Sequence, residues 1–278
     1  LTQIFVGSEG TLGVVTGARL RVHPVPTAED RRAWSFPTFG AGLEACRRIL
    51  RRGATPAVLR LYDRAESDRH FPGAPGCVLV TLDEGDPSLV EASLGIAARE
   101  CGRPAAEDLG PEPVDRWMAT RNDVPSLAGL ADAGIVADTV EVAAAWSALP
   151  AIHREVVARL TDLAGTVVAS AHQSHAYRDG ACLYFTFAGR PGESTADAET
   201  AERYYRAAWD AVIETTLGHG GALSHHHGIG INRGRYLADD LGAGFDVLSS
   251  LKAALDPVGI LNPGKLGLPS PFGPPPWP

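Results

Sequence analysis

Two neighbouring stretches, Thr166-Val167-Val168-Ala169-Ser170 and Cys182-Leu183-Tyr184-Phe185-Thr186-Phe187, decide the fold. Both are apolar runs of strand length, and no helical pattern separates them. A direct step from strand to strand of this kind joins antiparallel neighbours. Around the pair lie further strands at Cys77–Leu82 and near Thr139–Val142, alternating with helices over Pro87–Cys101, Trp146–Leu163 and Ser194–Leu217. Ser194 reads as the N-cap of the last of these, and Gly218 ends it. The expected fold class is α+β: an antiparallel sheet covered on one side by helices.

Working outward, Ala41–Arg52 is predicted helical and closed by Gly53, followed by a short apolar segment at Ala57–Tyr62. A further helix is predicted over Ala243–Leu255, ahead of the turn-rich ending Asp256-Pro257-Val258-Gly259-Ile260-Leu261-Asn262-Pro263-Gly264-Lys265-Leu266. At the front, Thr2–Val6 and Val14–Val22 read as strands around a turn at Gly7-Ser8-Glu9-Gly10, and Pro24 and Pro26 end that segment. The opening reads as the middle of a domain, so the chain is expected to be the C-terminal part of a longer protein. The expected divisions are 1–27, 28–218, 219–268 and a proline-rich, disordered tail over 269–278.

With 278 residues, 45% of them apolar, the chain can bury a substantial core. Its 25 basic against 33 acidic residues disfavour nucleic acid as the main partner. Cys46, Cys77, Cys101 and Cys182 show no CxxC spacing, which points to a reducing compartment and away from a zinc or disulfide framework. No apolar run reaches membrane-spanning length.

The chemistry concentrates in Ser224-His225-His226-His227-Gly228-Ile229-Gly230, preceded by Gly220-Gly221. Imidazole carries a proton near neutral pH, and glycine lets backbone approach a ligand. A loop with both suits proton transfer or anion binding; a surface polar loop, an internal tag and a metal site are the rival readings. Two more segments share its style of glycine-rich backbone with a few sharp polar groups: Gly7-Ser8-Glu9-Gly10-Thr11-Leu12-Gly13-Val14-Val15-Thr16 and Leu261-Asn262-Pro263-Gly264-Lys265.

In order and content these three segments resemble flavin-linked oxidases of the vanillyl-alcohol-oxidase type. The resemblance implies FAD as cofactor, with Gly7, Ser8, Glu9, Gly10, Thr11, Gly13, Val14, Val15 and Asn262 along the flavin. It also implies a glycine-rich phosphate-binding loop upstream of Leu1. The dehydrogenase branch of this family carries histidines and an acid that can hold a divalent metal. Here Tyr184 stands at one histidine position and His226 at the acidic one, so no metal is expected.

Gly180-Ala181-Cys182-Leu183-Tyr184-Phe185, the tri-histidine loop and Val58-Leu59-Arg60-Leu61-Tyr62-Asp63 are instead similar to the alkylglycerone-phosphate synthase branch. That branch exchanges the acyl chain of acyl-dihydroxyacetone phosphate for a fatty alcohol. The likeness implies Tyr184 as general acid, His225, His226 and His227 as proton and phosphate handlers, and Arg60 and Arg233 as substrate contacts. For Arg60 the competing reading is a salt bridge to Asp63; for Arg233 it is a solvated arginine. His153 and His219 carry no motif and read as ordinary surface or helix-end histidines.

The alternatives are a 2-hydroxy-acid dehydrogenase or oxidase on the same fold, and a non-catalytic cap fragment. The expected partners are a small-molecule or lipid substrate, a membrane surface touched peripherally, and a second copy of the chain. The expected location is cytoplasmic, with membrane association.

Overall fold

A computed structural model describes residues 1–103, 105–123, 127–192 and 198–273. The chain divides into two compact units, one of Leu1–His23 with Ala222–Pro278, the other of Pro24–Gly221. In chain order the helices are α1 Thr2–Phe5, α2 Phe39–Arg51, α3 Arg64–His70, α4 Pro87–Gly102, α5 Glu112–Thr120, α6 Leu127–Asp132, α7 Leu149–Asp162, α8 Ala198–Gly218, α9 Leu237–Leu241 and α10 Ala243–Leu255. The strands are β1 Ala28–Phe36, β2 Val58–Tyr62, β3 Cys77–Gly85, β4 Glu107–Gly110, β5 Val136–Ala145, β6 Thr166–Ala176 and β7 Gly180–Gly189.

In the unit of Pro24–Gly221 the strands form one sheet in the order β4-β1-β3-β2-β6-β7-β5, with every pairing antiparallel. The fold class is therefore α+β, as the direct step from β6 to β7 implies. That step is a hairpin in which Tyr177 N–H donates to Gly180 O at 2.8 Å. Gly180 also sits hard against β5, where an added Cβ would lie 2.3 Å from Ala144 O.

Alternation on β7 sorts its side chains onto two faces. Leu183, Phe185 and Phe187 are fully buried, and Phe187 meets Tyr204 and Tyr205 of α8 edge-on at 6.0 Å. Tyr184, Thr186 and Ala188 take the other face. On the helix-bearing face, α2 starts where Thr38 Oγ1 accepts from Ala41 N–H at 3.2 Å. It buries Phe39, Leu43, Cys46, Ile49 and Leu50, a stripe of helical period. Gly42 lets α2 approach β2, since a Cβ there would be 2.5 Å from Leu61 Cδ1. The opposite face carries α3, started by Asp63 Oδ1 accepting from Glu66 N–H at 2.9 Å.

Several elements differ from the sequence expectation. β1 opens with charged residues that break any apolar pattern, and its arginines are matched by Asp108 on β4 and Asp115 on α5. α3, β4, α5 and α6 are likewise too short or too polar to show a period. The helix expected from Trp146 starts at Leu149 because Trp146 N–H donates to Asp179 O and its Nε1 to Tyr177 O, tying it to the β6–β7 turn. The Ser194 cap lies outside the described residues.

In the other unit the expected front strands are corrected. Thr2–Phe5 is the single-turn helix α1, and residues 14–22 form no strand. A strand needs a neighbour to take its backbone groups, and all seven paired strands belong to the unit of Pro24–Gly221. Residues 268–273 hold no helix or strand, and 274–278 of the expected disordered tail lie outside the described residues.

Candidate functional site

Within the sheet unit, the face of β6 and β7 opposite α7 and α8 walls a cavity of about 700 Å³. β2 contributes Arg60 and Tyr62, α3 contributes Glu66, Arg69 and His70, and α5 contributes Trp117. The wall changes character along the strands. On β6, His172 gives way to Val168; on β7, Thr186 gives way to Ala188, which pairs with Ala137 of β5. Around Arg60, His172 and Thr186 the wall is hydrogen-bonding, and around Val168, Ala188 and Ala137 it is apolar, while Ala57, Val58, Arg121, Asn122 and Asp123 also line it.

Around Arg60 and His172 a buried relay crosses three elements. Arg60 Nη2 lies 2.5 Å from His172 Nε2, and His172 Nδ1 lies 2.7 Å from Glu66 Oε2. A guanidinium only donates, so Nε2 accepts and Nδ1–H donates to Glu66. Glu66 Oε1 accepts from the Thr186 hydroxyl at 3.0 Å and the Ser170 hydroxyl at 3.4 Å, with Arg69 at 3.5 Å. Burial opposes ionisation of Glu66, but the His172 ring, Thr186 and Arg69 outweigh it and bring the carboxyl down to about 2. Burial holds His172 below its ordinary value despite Glu66, and Arg60 pushes the same way. The pair is thus a carboxylate and a neutral imidazole.

Arg60 does not pair with Asp63. Asp63 instead accepts from Ala171 N–H at 2.6 Å and faces His153 at 3.3 Å, so His153 is a packed residue, stacked near Phe39, and not a surface one. The Arg60 guanidinium lies 5.4 Å from the Tyr62 ring and 5.9 Å from Trp117, and its buried Nε finds no acceptor among the described residues. Tyr184 stacks on His172 with centroids 4.9 Å apart and planes 11° from parallel. Arg60 and Tyr184, both expected at the site, are therefore brought together through His172. Sequence reasoning missed His172 and Glu66; the Asp63-to-Glu66 spacing of a helix start was the available signal for the second.

The unit of Leu1–His23 with Ala222–Pro278 gathers the other predicted residues. Glu9 holds φ +51° between Gly7 at +84° and Gly10 at +75°. That turn aims its carboxylate at the backbone N–H groups of Ile229 (2.5 Å) and Gly230 (3.0 Å) in the tri-histidine loop. Gly228 holds φ +78° there, a left-handed conformation that favours glycine, with Glu9 Oε1 close beside it. Asn262 Nδ2 donates to Glu9 O. Ser8 and Thr11 brace the turn through Phe5 O and Ser8 O.

Lys252 completes this arrangement. Its buried ammonium donates to Thr11 O at 2.9 Å, Leu261 O at 2.7 Å and Asp256 Oδ2 at 2.5 Å. The Lys252 hydrogen bond holds Asp256 below the usual carboxylate range, helped by N–H groups of Leu261 and Ile260. Arg233 is buried and donates to Leu223 O and Gly228 O, so its side chain clamps the loop and is not a solvated arginine. His225, His226 and His227 are exposed, with successive rings edge-to-face at 4.9 and 4.8 Å, and His225 Nδ1 lies 2.7 Å from His226 Nδ1.

Comparison with known proteins gives a match over residues 25–266 to the family described as FAD linked oxidases, C-terminal domain. The chain belongs to this family. Among its relatives, the alkyldihydroxyacetonephosphate synthase of Trypanosoma brucei brucei is 31% identical over 98% of this chain and 49% of its own length. That of Dictyostelium discoideum is 29% identical over 95% and 48%. A solved structure of alkyldihydroxyacetonephosphate synthase superposes with a TM-score of 0.71 at 26% identity, covering 95% of this chain and 50% of that one. The chain spans about half the length of the curated relatives it matches.

Membership in the FAD-linked oxidases brings FAD as the cofactor and an FAD-dependent enzyme as the class. The residues expected to meet the flavin fit such a group. Val14 and Val15 are 78% and 72% exposed, an open apolar edge following the left-handed turn at Gly7–Gly10. Asn262 binds the turn through Glu9 O, and Lys252 binds Thr11 O just beyond it.

Proposed function

We propose that the complete protein exchanges the acyl chain of acyl-dihydroxyacetone phosphate for a long-chain alcohol, the activity of an alkyldihydroxyacetonephosphate synthase in ether-lipid synthesis. The observation that carries this reading is the wall of the 700 Å³ cavity, which sets Arg60 and His172 on the same face as an apolar stretch of Val168, Ala137 and Ala188. Such a wall suits a ligand with an anionic head and an apolar chain.

Arg60 would hold the phosphate, its fork matching a phosphate edge. Tyr184 would give a proton to the departing carboxylate. His225, His226 and His227 would take the proton next to the carbonyl and add positive charge for the phosphate. Gly7, Ser8, Glu9, Gly10, Thr11, Gly13, Val14, Val15 and Asn262 would hold FAD. When bound, the flavin supplies an electrophilic ring for the dihydroxyacetone carbon. Arg233 acts through the loop it clamps. The same reading has the protein meet its lipid substrates as a peripheral homodimer at the cytoplasmic side of a membrane.

The test is the complete flavoprotein given acyl-dihydroxyacetone phosphate and a labelled long-chain alcohol. Release of fatty acid beyond one equivalent per flavin should require the alcohol, the label should enter the product, and the flavin spectrum should show no net reduction. Tyr184→Phe should slow the exchange by about 100-fold. Bleaching of the flavin by a 2-hydroxy acid, with no exchange, overturns the proposal in favour of a dehydrogenase. A colourless complete protein overturns both.

A further inference from the structure

We infer that His172 and Glu66 are positioning residues that aim the Arg60 guanidinium at the anionic group of the ligand. This rests on the assignment of the cavity wall around Arg60 to that group.

The geometry carries it in three steps. Arg60 sits midway along a strand with a flexible side chain, and an arginine of this length facing a wet cavity has many rotamers available. Here one Nη is claimed by His172 Nε2 at 2.5 Å, while the Tyr62 and Trp117 rings bound the guanidinium. The Nε–H is buried without an acceptor among the described residues. Arg60 is half-buried and lines the cavity, so an oxygen of a phosphate or carboxylate arriving there would meet the remaining edge of its guanidinium.

His172 can accept from Arg60 only in one tautomer, with its proton on Nδ1. Glu66 imposes that tautomer by accepting Nδ1–H at 2.7 Å. Glu66 is itself fixed from β7 by Thr186 and from β6 by Ser170. An acceptor at Nε2 is unusual next to an arginine, since a carboxylate would bind the guanidinium more tightly. A carboxylate would also neutralise it. The neutral imidazole orients Arg60 and leaves its full charge for the ligand, while the compensating carboxylate is kept one ring away. Tyr184, stacked on the same imidazole, shares the support.

The experiment compares His172→Ala, His172→Gln, Arg60→Ala and the double variant Arg60→Ala/His172→Ala in the complete flavoprotein. The measured quantity is the Kd for inorganic phosphate and dihydroxyacetone phosphate, with neutral dihydroxyacetone as the uncharged control. His172→Ala should weaken both phosphates by about tenfold and leave dihydroxyacetone unchanged. His172→Gln, whose amide can accept from Arg60 and donate to Glu66, should recover binding to within about threefold. In the Arg60→Ala background the loss of His172 should cost nothing more.

Flavin content and thermal unfolding identify any variant that fails to fold, and His172→Gln then carries the test. Wild-type phosphate affinity in His172→Ala, or additive losses in the double variant, overturns the inference. Equal weakening of charged and neutral ligands, with no rescue by glutamine, also overturns it by showing a purely structural role. These binding measurements need no turnover, so they stand apart from the exchange assay that tests the function.

Discussion

The cavity wall of the sheet unit and the turn-and-loop cluster of the other unit solve the same problem in different ways. Each must hold a few polar groups rigidly next to a ligand. On β6 and β7 the pleat does it: Phe185 and Phe187 anchor one face, and Tyr184 and Thr186 are aimed by necessity at the other. Around Glu9 no pleat exists, so side chains bind backbone directly, with Lys252 and Arg233 buried among carbonyls and Glu9 capping N–H groups. The pleated site should be robust to loss of a polar group and fragile to loss of its apolar anchors. The loop site should behave in the reverse way.

The largest effect is expected from Phe185→Ala, which opens a hole under a fully buried ring and should cost about 3–5 kcal/mol in a urea unfolding curve. Its neighbour Thr186→Val, facing the cavity, should cost less than about 1.5 kcal/mol in the same curve. Equal costs would refute the two-faced description.

In the other unit, Lys252→Met should lower the thermal midpoint of the complete protein by roughly 5 °C and release FAD, because three oxygens lose their shared donor. A midpoint within a degree of wild type would show that the loops hold themselves. Glu9→Ala should be milder, about 1 kcal/mol, and visible as faster hydrogen exchange at Ile229 and Gly230.

The smallest effect is a pH dependence. Folded His172 has a pKa below its unfolded value of about 6.5, so on acidification the unfolded chain takes a proton that the folded one refuses. Stability therefore falls as pH drops from that value. His172→Gln should remove this limb and leave a shallower slope below about pH 6.5, with His70 supplying part of the remainder. Glu66 acts lower. Its stabilisation is complete above about 4.5 and is lost towards its folded value of about 2, so Glu66→Gln should flatten the curve in that window.

The strands that were legible in advance, β3, β5, β6 and β7, carry apolar runs whose burial is local information. β1 was not, because its Arg31 and Arg32 are balanced by acids more than seventy residues away. At the site, Arg60, Tyr184 and the loop histidines stood out through their motifs. His172 and Glu66 did not, since their importance lies in a contact across 106 residues of chain. The front segment misled for a related reason: the apolar residues Val14, Val15, Leu20 and Val22 describe a surface ready to be covered, and a strand exists only where a partner takes its backbone groups.

Chain chemistry alone was enough to specify an α+β layer and the three glycine-rich segments, whose resemblance pointed to the flavin family, because burial pattern and backbone freedom are properties of short stretches. Packing in three dimensions was needed to choose the tautomer of His172, to bury Lys252 among carbonyls, and to set Arg233 against the carbonyls of Leu223 and Gly228. Hydrogen-bond partners are selected by distance in space, and distance in space is set only once each unit has folded.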